Sequence, residues 1–375
     1  MTPKQRIEAV YHGKTPDQVP FMLDLSHWFY HKNRMPWDLS RSYDAPEWEL
    51  IDYHKAAGVG FYLPNLGSFY GVDYPEDVTA SVVKSEDGRS ITWRLETPLG
   101  VLERTRVWEE TTYAWAIRNW GIKTEHDLRI LGYALANRCY RPLWDRYRAW
   151  VEAVGEIGVV YVGLGYSAMG QLLNYWLGVE GVAYATTDWP DTVRSVVREV
   201  NENQLSLVDL VAASPVEFVV MGDNFSSDVQ PPHFFEQWSK DYYREAVRRL
   251  HAAGKFVAVH IDGKLRGALG MIRDTGADCA DAVTPAPMGD LTPEACRVEA
   301  GTEFILSGGV PPNLWLPGAG VEAFRDAVLR WLALKRSSPR LIANAGDQVP
   351  PYAQEDRIKM MRDLVEEHGT YHCIS

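Results

Sequence analysis

The stretch KFVAVHID at residues 255–262 decides the fold, because it is an almost unbroken apolar run that ends in polar residues. A helical pattern follows it at Leu265–Thr275, and a second run, ADCADAVT, follows at residues 277–284. Short runs of this kind fit strands that are buried on both faces, as in a parallel sheet. Strand and helix therefore alternate in this part of the chain.

Similar runs recur along the whole sequence, and helical patterns separate most of them. Eight strands that alternate with helices predict an α/β chain folded as a (β/α)8 TIM barrel. A doubly wound sheet is the alternative, but no GxGxxG or P-loop string follows the first run. The eight runs are Val19–Leu25, Gly58–Asn65, Ile157–Gly165, Glu217–Asn224, Lys255–Asp262, Ala277–Thr284, Glu303–Val310 and Arg340–Asp347.

A long insert at residues 72–125 separates the second run from the third. Within it, SVVKSEDGRSITWRLETPLGVLERTRVW at residues 81–108 carries turn signals at Glu86–Gly88 and at Thr97–Gly100. This pattern predicts a small antiparallel β ribbon near the barrel mouth. We expect residues 1–375 to form a single barrel domain that contains this ribbon.

Composition narrows the range of partners. The 375 residues carry 38 basic and 50 acidic side chains, a net charge of −12, and such a surface argues against nucleic-acid or anionic-membrane binding. The longest uncharged run, Ile157–Val179, contains five glycines, which argues against a membrane span. The four cysteines form no CxxC pair, which excludes a disulfide scaffold and fits a reducing compartment. The expected location is cytoplasmic.

The residues at the strand ends are the candidates for function, because active sites of TIM barrels lie at the C-terminal ends of the strands. Many of them are acids or amides, so the rim needs a counter-charge: a metal, a cationic ligand or protonated side chains. Aromatic residues beside the strand ends, including Trp28 and Tyr30, favour a flat, apolar substrate. The candidate site residues are Asp24, His27, Trp28, Tyr30, Asn65, Tyr166, Asp223, Asn224, His260, Asp262, Asp281, Ser307, Asn344 and Asp347.

His260 and Asp262 are two residues apart on one strand, so their side chains point to the same face. With Asp223 from the neighbouring strand they could hold Zn²⁺ with one open position. Each residue also has a structural interpretation. Asp262 could cap the following helix, His260 could be a core histidine, and Asp223 with Asn224 could form an Asx turn.

Five strings along the chain resemble the uroporphyrinogen decarboxylase superfamily, a (β/α)8 group that includes corrinoid-dependent methyltransferases. They are RIEAVYHGKTPDQVPF at 6–21, LGVEGVAYATTDWPDTV at 177–193, VHIDGKL at 259–265, TPAPMGDLTPE at 284–294 and SGGVPPNLW at 307–315. The decarboxylases of this superfamily have an arginine pair after the first strand and an aspartate at the end of the second. This chain has Asp24–Trp28 and Leu63–Asn65 there instead, which disfavours decarboxylation of a tetrapyrrole.

The methyltransferase branch commonly uses a zinc held by a His-x-Cys string and a further cysteine near strand seven. Here those places read His260-Ile261-Asp262 and Ser307-Gly308-Gly309. The ETPLG string at 96–100 and the GDLTPE string at 289–294 are similar to the branch that demethylates methoxylated aromatics, where oxygen and imidazole ligands replace the thiolates. The resemblance therefore implies Zn²⁺ on Asp223 and His260, with Asp262 as a candidate third ligand and the full ligand set left open.

The function that the resemblance implies is transfer of a methyl group from a methylated donor to cob(I)alamin carried by a partner corrinoid protein. The donor is expected to be a methoxylated aromatic, although methanol, methylamines, methylthiols and glycine betaine stay open, as does the direction of transfer. Either zinc contacts the ether oxygen, or His260 donates a proton as an imidazolium whose pKa Asp262 raises. Asp281, Asn344 and Asp347 would position the donor, and Trp28, Tyr30 and Trp176 would stack on its ring.

Two other functions remain open from the sequence. One is a uroporphyrinogen-type decarboxylase, and the other is a non-catalytic barrel that binds a corrinoid or a small molecule. A homodimer is an expectation from the family alone.

Overall fold

Eight parallel strands form a closed ring in the computed structural model, which describes residues 1–35, 39, 43–64 and 68–371. Strands β9 to β14 form one sheet in the order β14-β13-β12-β11-β10-β9, and β1 pairs with β2. Two parallel bridges, Phe21 to Ala343 and Phe61 to Gly158, join these sheets into a ring. The strands are β1 Met22–Leu23, β2 Gly60–Phe61, β3 Tyr70–Asp73, β4 Thr79–Lys84, β5 Ser90–Thr97, β6 Gly100–Glu109, β7 Ala114–Asn119, β8 Cys139–Pro142, β9 Tyr161–Gly163, β10 Phe218–Phe225, β11 Phe256–Ile261, β12 Cys279–Val283, β13 Ile305–Val310 and β14 Leu341–Ala345.

The predicted TIM barrel is therefore confirmed. Seven of the eight predicted runs contain one strand of the ring, and β10 extends one residue beyond its run, to Phe225. Helices separate these strands and cover the outside of the ring. They are α1 Pro3–Tyr11, α2 Ser26–Lys32, α3 Trp48–Ala57, α4 Glu125–Ala136, α5 Trp144–Val154, α6 Ala168–Gln171, α7 Gly178–Asp188, α8 Pro190–Ala212, α9 Pro232–Trp238, α10 Lys240–Ala252, α11 Ala268–Arg273, α12 Pro293–Ala300, α13 Val321–Ala333 and α14 Glu355–His368.

Helix α1 closes the N-terminal end of the barrel. Thr2 and Gln5 form a capping box at its start, which satisfies backbone N–H groups that the first turn leaves free. At its end, the ring of Tyr11 packs against Phe218 and Phe256, with centroids 5.1 and 5.3 Å apart. Aromatic rings thus fill this end of the barrel, and the interior opens toward the C-terminal ends of the strands.

The insert between β2 and β9 is antiparallel, as predicted. Strands β4, β5, β6 and β7 form a four-stranded sheet, and β3 pairs with β8. Leu95 and Leu102 of this sheet are buried in one apolar cluster with Leu128 of α4 and Val196 of α8. This cluster fixes the sheet beside the barrel, so its side chains can form part of a rigid wall.

No helix in the described part of the chain is long and apolar enough to cross a membrane.

The seam between β1 and β2 depends on a residue without a side chain. A Cβ added to Gly60 would lie 2.1 Å from the carbonyl oxygen of Phe21, which is a backbone atom of the paired strand region. We expect Gly60→Ala to lower the free energy of unfolding by about 1–3 kcal/mol, because overpacking forces the strands apart. Chemical denaturation with two spectroscopic signals measures this change.

Gly318→Ala is the matched control, since nothing lies within 4 Å of the added Cβ. Its stability should change by no more than about 0.5 kcal/mol. Equal stability of the two variants would contradict a tightly closed seam.

Candidate active site

Two connected cavities occupy the C-terminal mouth of the barrel. The inner cavity, of about 150 Å³, is lined mostly by polar side chains, and the outer one, of about 650 Å³, mostly by aromatic and apolar groups. Pro64, Tyr166, Asn224 and His260 line both, so the two spaces are continuous. Seven of the predicted site residues line the inner cavity, namely Asp24, Tyr166, Asn224, His260, Asp262, Asn344 and Asp347.

His260 lies on β11 and is held by an acid of the next strand. Its Nδ1 atom lies 3.0 Å from Oδ2 of Asp281, a residue of β12 that is only 2% exposed. The same oxygen accepts a 2.5 Å hydrogen bond from the hydroxyl of Tyr62, which follows β2. These contacts fix the orientation of the imidazole and leave Nε2 without a hydrogen-bond partner among the described residues.

The charges around His260 keep it protonated at neutral pH. Burial alone lowers the pKa of the imidazole, but the hydrogen bond and charge of Asp281, with the charges of Asp347 and Asp262, outweigh burial and raise the pKa to about 9. Asp281 is therefore the main partner. The prediction assigned that role to Asp262, which is exposed and acts on His260 through its charge.

Two further acids of the inner cavity hold protons more tightly than usual. Burial raises the pKa of Asp24 to about 7, against hydrogen bonds of 2.9 and 2.6 Å that its Oδ1 accepts from the backbone N–H and hydroxyl of Ser26. Burial also raises the pKa of Asp347 to about 6, although the charge of His260 opposes this shift. The inner cavity therefore offers several groups that can donate or accept a proton near neutral pH.

Irregular pairing at two strand ends shapes the cavity. Gly222 pairs with His260 but Phe225 pairs with Ile261, so β10 carries two extra residues at this point. One of them, Asn224, has a φ of 48° and lines both cavities. β12 has a similar shift, where Ala282 has a φ of 64° and lines the inner cavity. Bulges of this kind redirect side chains beside active sites.

Asp223, the other extra residue of β10, does not reach the cavities. Its two carboxylate oxygens accept hydrogen bonds from the backbone N–H of Ser167, at 2.7 Å, and from the Ser167 hydroxyl, at 2.5 Å. It is 1% exposed and lies so close to Gly170 that a Cβ there would be 2.1 Å from its Oδ1. Burial raises the pKa of this carboxyl. Asp223 thus ties β10 to the start of α6.

The predicted zinc ligand set does not fit this geometry. Both oxygens of Asp223 are already used by Ser167, and within the described residues no three His, Cys, Asp or Glu side chains are placed to hold one metal ion. The structure therefore does not bring Asp223 together with His260 and Asp262. His260 and Asp262 remain at the cavity.

Several predicted substrate-binding residues lie elsewhere. His27 stacks on Tyr113 of the insert, with Nε2 2.8 Å from the Tyr113 carbonyl oxygen. Trp28 donates from Nε1 to the carbonyl of Ala353, at 3.0 Å, and Tyr30 is buried in the main core. Ser307 is buried, and its Oγ atom lies 3.4 Å from Nδ2 of Asn344. None of these four lines either cavity, Trp176 is buried against the insert, and Asn65 lies outside the described residues.

The comparisons with known proteins agree with this fold. The family model for uroporphyrinogen decarboxylase (URO-D) matches residues 171–368, which include β10 to β14 and most of the cavity lining. This chain belongs to the uroporphyrinogen decarboxylase family. It is also similar in fold to a methyltransferase from Methanosarcina mazei, with a TM-score of 0.63 and 14% identity over 98% of this chain and 99% of that one. No curated protein matches it.

In this family member, the residues that the sequence did not point to come mostly from outside the strand ends. Tyr62 follows β2 and holds Asp281, whereas Arg106, Ile117 and Trp120 reach the outer cavity from the insert. Tyr175 joins them from the π-helical turn at Leu172–Trp176.

We expect Asp281→Asn to lower the pKa of His260 well below 9, because burial would then be opposed only by the charges of Asp347 and Asp262. NMR titration of the imidazole ring protons measures this shift. The folded-state pKa lies above the unfolded one, so the stabilisation is complete below about pH 6.5 and is lost as the pH rises through 9. The variant should lack this dependence.

Asp262→Asn is the control for charge alone, because Asp262 is exposed and shares no hydrogen bond with His260. It should lower the pKa of His260 by less than Asp281→Asn does. An unchanged titration in Asp281→Asn would show that another group holds the proton.

Proposed function

We propose that this protein is a methyltransferase that moves a methyl group from a methoxylated aromatic to cob(I)alamin carried by a corrinoid protein. The observation that carries the proposal is the position of His260, which Asp281 holds at 3.0 Å where a polar inner cavity meets an aromatic outer one; its pKa, raised to about 9, favours the imidazolium. Membership of the uroporphyrinogen decarboxylase family and the fold shared with a methyltransferase support it.

An aryl methyl ether is inert because phenolate leaves poorly, so the developing negative charge on the ether oxygen must be neutralised. The electron pair of cobalt(I) forms the bond to the methyl carbon, and the bond between that carbon and the oxygen breaks. Its electron pair stays on the oxygen, which takes the proton from Nε2 of His260 and leaves as a phenol. The nucleophile is supplied by the methyl acceptor, so the protein contributes binding, orientation and the proton.

Five polar residues in or beside the inner cavity have a part in this proposal. His260 donates the proton, and Asp281 with Tyr62 fixes the imidazole ring so that Nε2 stays available. Asp24 and Asp347, whose pKa values of about 7 and 6 lie near neutrality, return a proton to His260 between turnovers. No step depends on zinc.

The corrinoid protein would bind at the mouth of the barrel. Tyr11 and its aromatic neighbours fill the opposite end, whereas the outer cavity opens at the C-terminal side. An acceptor that is too large to enter must place its cobalt over this opening. The homodimer expected from the family remains a separate proposal.

The charge of the cavity walls argues against the alternative of a tetrapyrrole decarboxylase. Arg106 is the one lysine or arginine among the described residues that line the two cavities, whereas three acids line the inner one. A substrate with many carboxylates would meet more repulsion than attraction there. The alternative of a non-catalytic binding barrel predicts binding without turnover, which a rate measurement tests.

We expect His260→Gln to lower kcat for a methoxylated aromatic about 100- to 10,000-fold, because a general acid contributes that much. The rate is followed as methylcobalamin absorbance, with the protein, reduced cobalamin on its carrier or free, and the donor. The loss should shrink for donors whose phenol is more acidic, since such a leaving group needs less protonation. Wild-type kcat should fall as the pH rises through about 9, where the proton is lost.

His251→Gln is the control, because His251 contacts Asp278 and lines neither cavity. It should keep the wild-type rate. Wild-type protein that transfers no methyl group from any donor, or a His260→Gln variant with an unchanged rate, would contradict the proposal.

A further inference from the structure

Arg106 brings a positive charge into the outer cavity without a counter-charge. Its Nη2 donates to the carbonyl oxygen of Asn174 at 3.1 Å, and its guanidinium lies 5.6 Å from the ring centroid of Tyr175. Its Nε is buried with no hydrogen-bond partner, and within the described residues it pairs with no carboxylate. Because Nε is closed off from the cavity, the donors left for a ligand there are on the Nη atoms, from which a carboxylate can accept.

Two other arginines of the insert have different surroundings. Arg94 pairs with Glu96, at 2.7 Å, and with Glu103, at 2.5 Å. Arg104 is buried between aromatic rings, 3.9 Å from the ring centroid of Trp93, and its Nε also lacks a partner. Arg104 and Arg106 lie two residues apart on β6, so both point to the same face. Arg104 is buried behind the wall and lines neither cavity, so Arg106 is the arginine of this face that reaches the outer cavity.

The two ends of the combined cavity therefore carry opposite charge. Asp24, Asp262, Asp281 and Asp347 surround His260 at the inner end, whereas Arg106 lies in the outer cavity. The four acids outnumber the one imidazolium at the inner end, so a negatively charged group on a donor is repelled there and attracted by Arg106 at the outer end. An uncharged methoxy group has no such preference. A negative charge elsewhere on the donor, attracted by Arg106, would therefore leave the methoxy group at the His260 end of the cavity.

We infer that the methyl donor is a methoxylated aromatic carboxylic acid, whose carboxylate pairs with Arg106 while its methoxy group reaches His260. This inference rests on the proposed function. Tyr70, Tyr166, Tyr175 and Trp120 supply aromatic contact for the ring between these two ends. An ammonium group in place of the carboxylate would instead lie beside the positive charge of Arg106, which disfavours it.

The test compares three donors that differ only in charge: a methoxybenzoate, the corresponding methoxybenzamide and the corresponding methoxybenzylamine. For wild-type protein we expect the acid to bind about 10- to 100-fold more tightly than the amide, since a hydrogen-bonded ion pair contributes that much. The amine should bind more weakly still. Binding is measured by calorimetry without corrinoid, and KM and kcat by methylcobalamin formation.

Arg106→Gln should remove the preference for the acid, with a 10- to 100-fold rise in KM and little change in kcat, and Arg106→Lys should restore part of it. Arg118→Gln is the matched control, because Arg118 is an exposed arginine of the same sheet that lines neither cavity. It should behave as the wild type. Should Arg106→Gln fail to fold, the ranking of the three donors on the wild type decides alone.

The outcomes separate the inference from the proposed function. Acid binding that depends on Arg106 without methyl transfer would support the carboxylate site and contradict the function. Methyl transfer at equal efficiency from acid and amide, in wild type and in Arg106→Gln alike, would overturn the inference and leave the function standing. Preference for glycine betaine over every aromatic donor would overturn the aromatic part.

Discussion

The hydrogen-bonded acid at the centre of the barrel, Asp281, is the interaction on which the site depends. A buried carboxylate is costly unless donors surround it, and here Tyr62 and His260 both contact the same oxygen. These three side chains come from β12, β11 and the chain after β2, so the acid can be satisfied only when the barrel has closed. The contacts that favour the protonated imidazole therefore form only when the ring of strands is closed.

The insert is fixed beside the barrel and forms the outer end of the site. Its four-stranded sheet shares an apolar cluster with α4 and α8, so β6 and β7 are held at a fixed place beside the mouth. The barrel supplies an inner end rich in acids, and the insert supplies an outer end with arginine and aromatic rings. Neither end alone would orient a small donor. A charged donor takes up one orientation only when the two ends of the cavity differ in charge.

The fold could be predicted from the sequence because each barrel strand is an apolar run with polar residues at its end, and so could the gathering of His260, Asp24 and Asp347 at one mouth. The direction of Asp223 could not, because two extra residues in β10, between Gly222 and Phe225, turn it outward, and no local signal announces such a bulge. Trp28 and Tyr30 lie on α2, whose buried face packs into the core. Arg106 comes from a sheet whose position depends on long-range packing.

The acids of the site change one another's pKa values and that of His260. Acids that crowd together raise one another's pKa, and they also raise that of a nearby imidazole, so protons are retained on both kinds of group at neutral pH. The pKa values of about 9 for His260, 7 for Asp24 and 6 for Asp347 form a descending series inside one small cavity. A leaving oxygen that becomes negative in this cavity lies beside the imidazolium of His260, which can protonate it. The carboxyl groups of Asp24 and Asp347 can then return a proton to the imidazole. The acidic rim, which in the sequence suggests a metal, can in this geometry be balanced by protons.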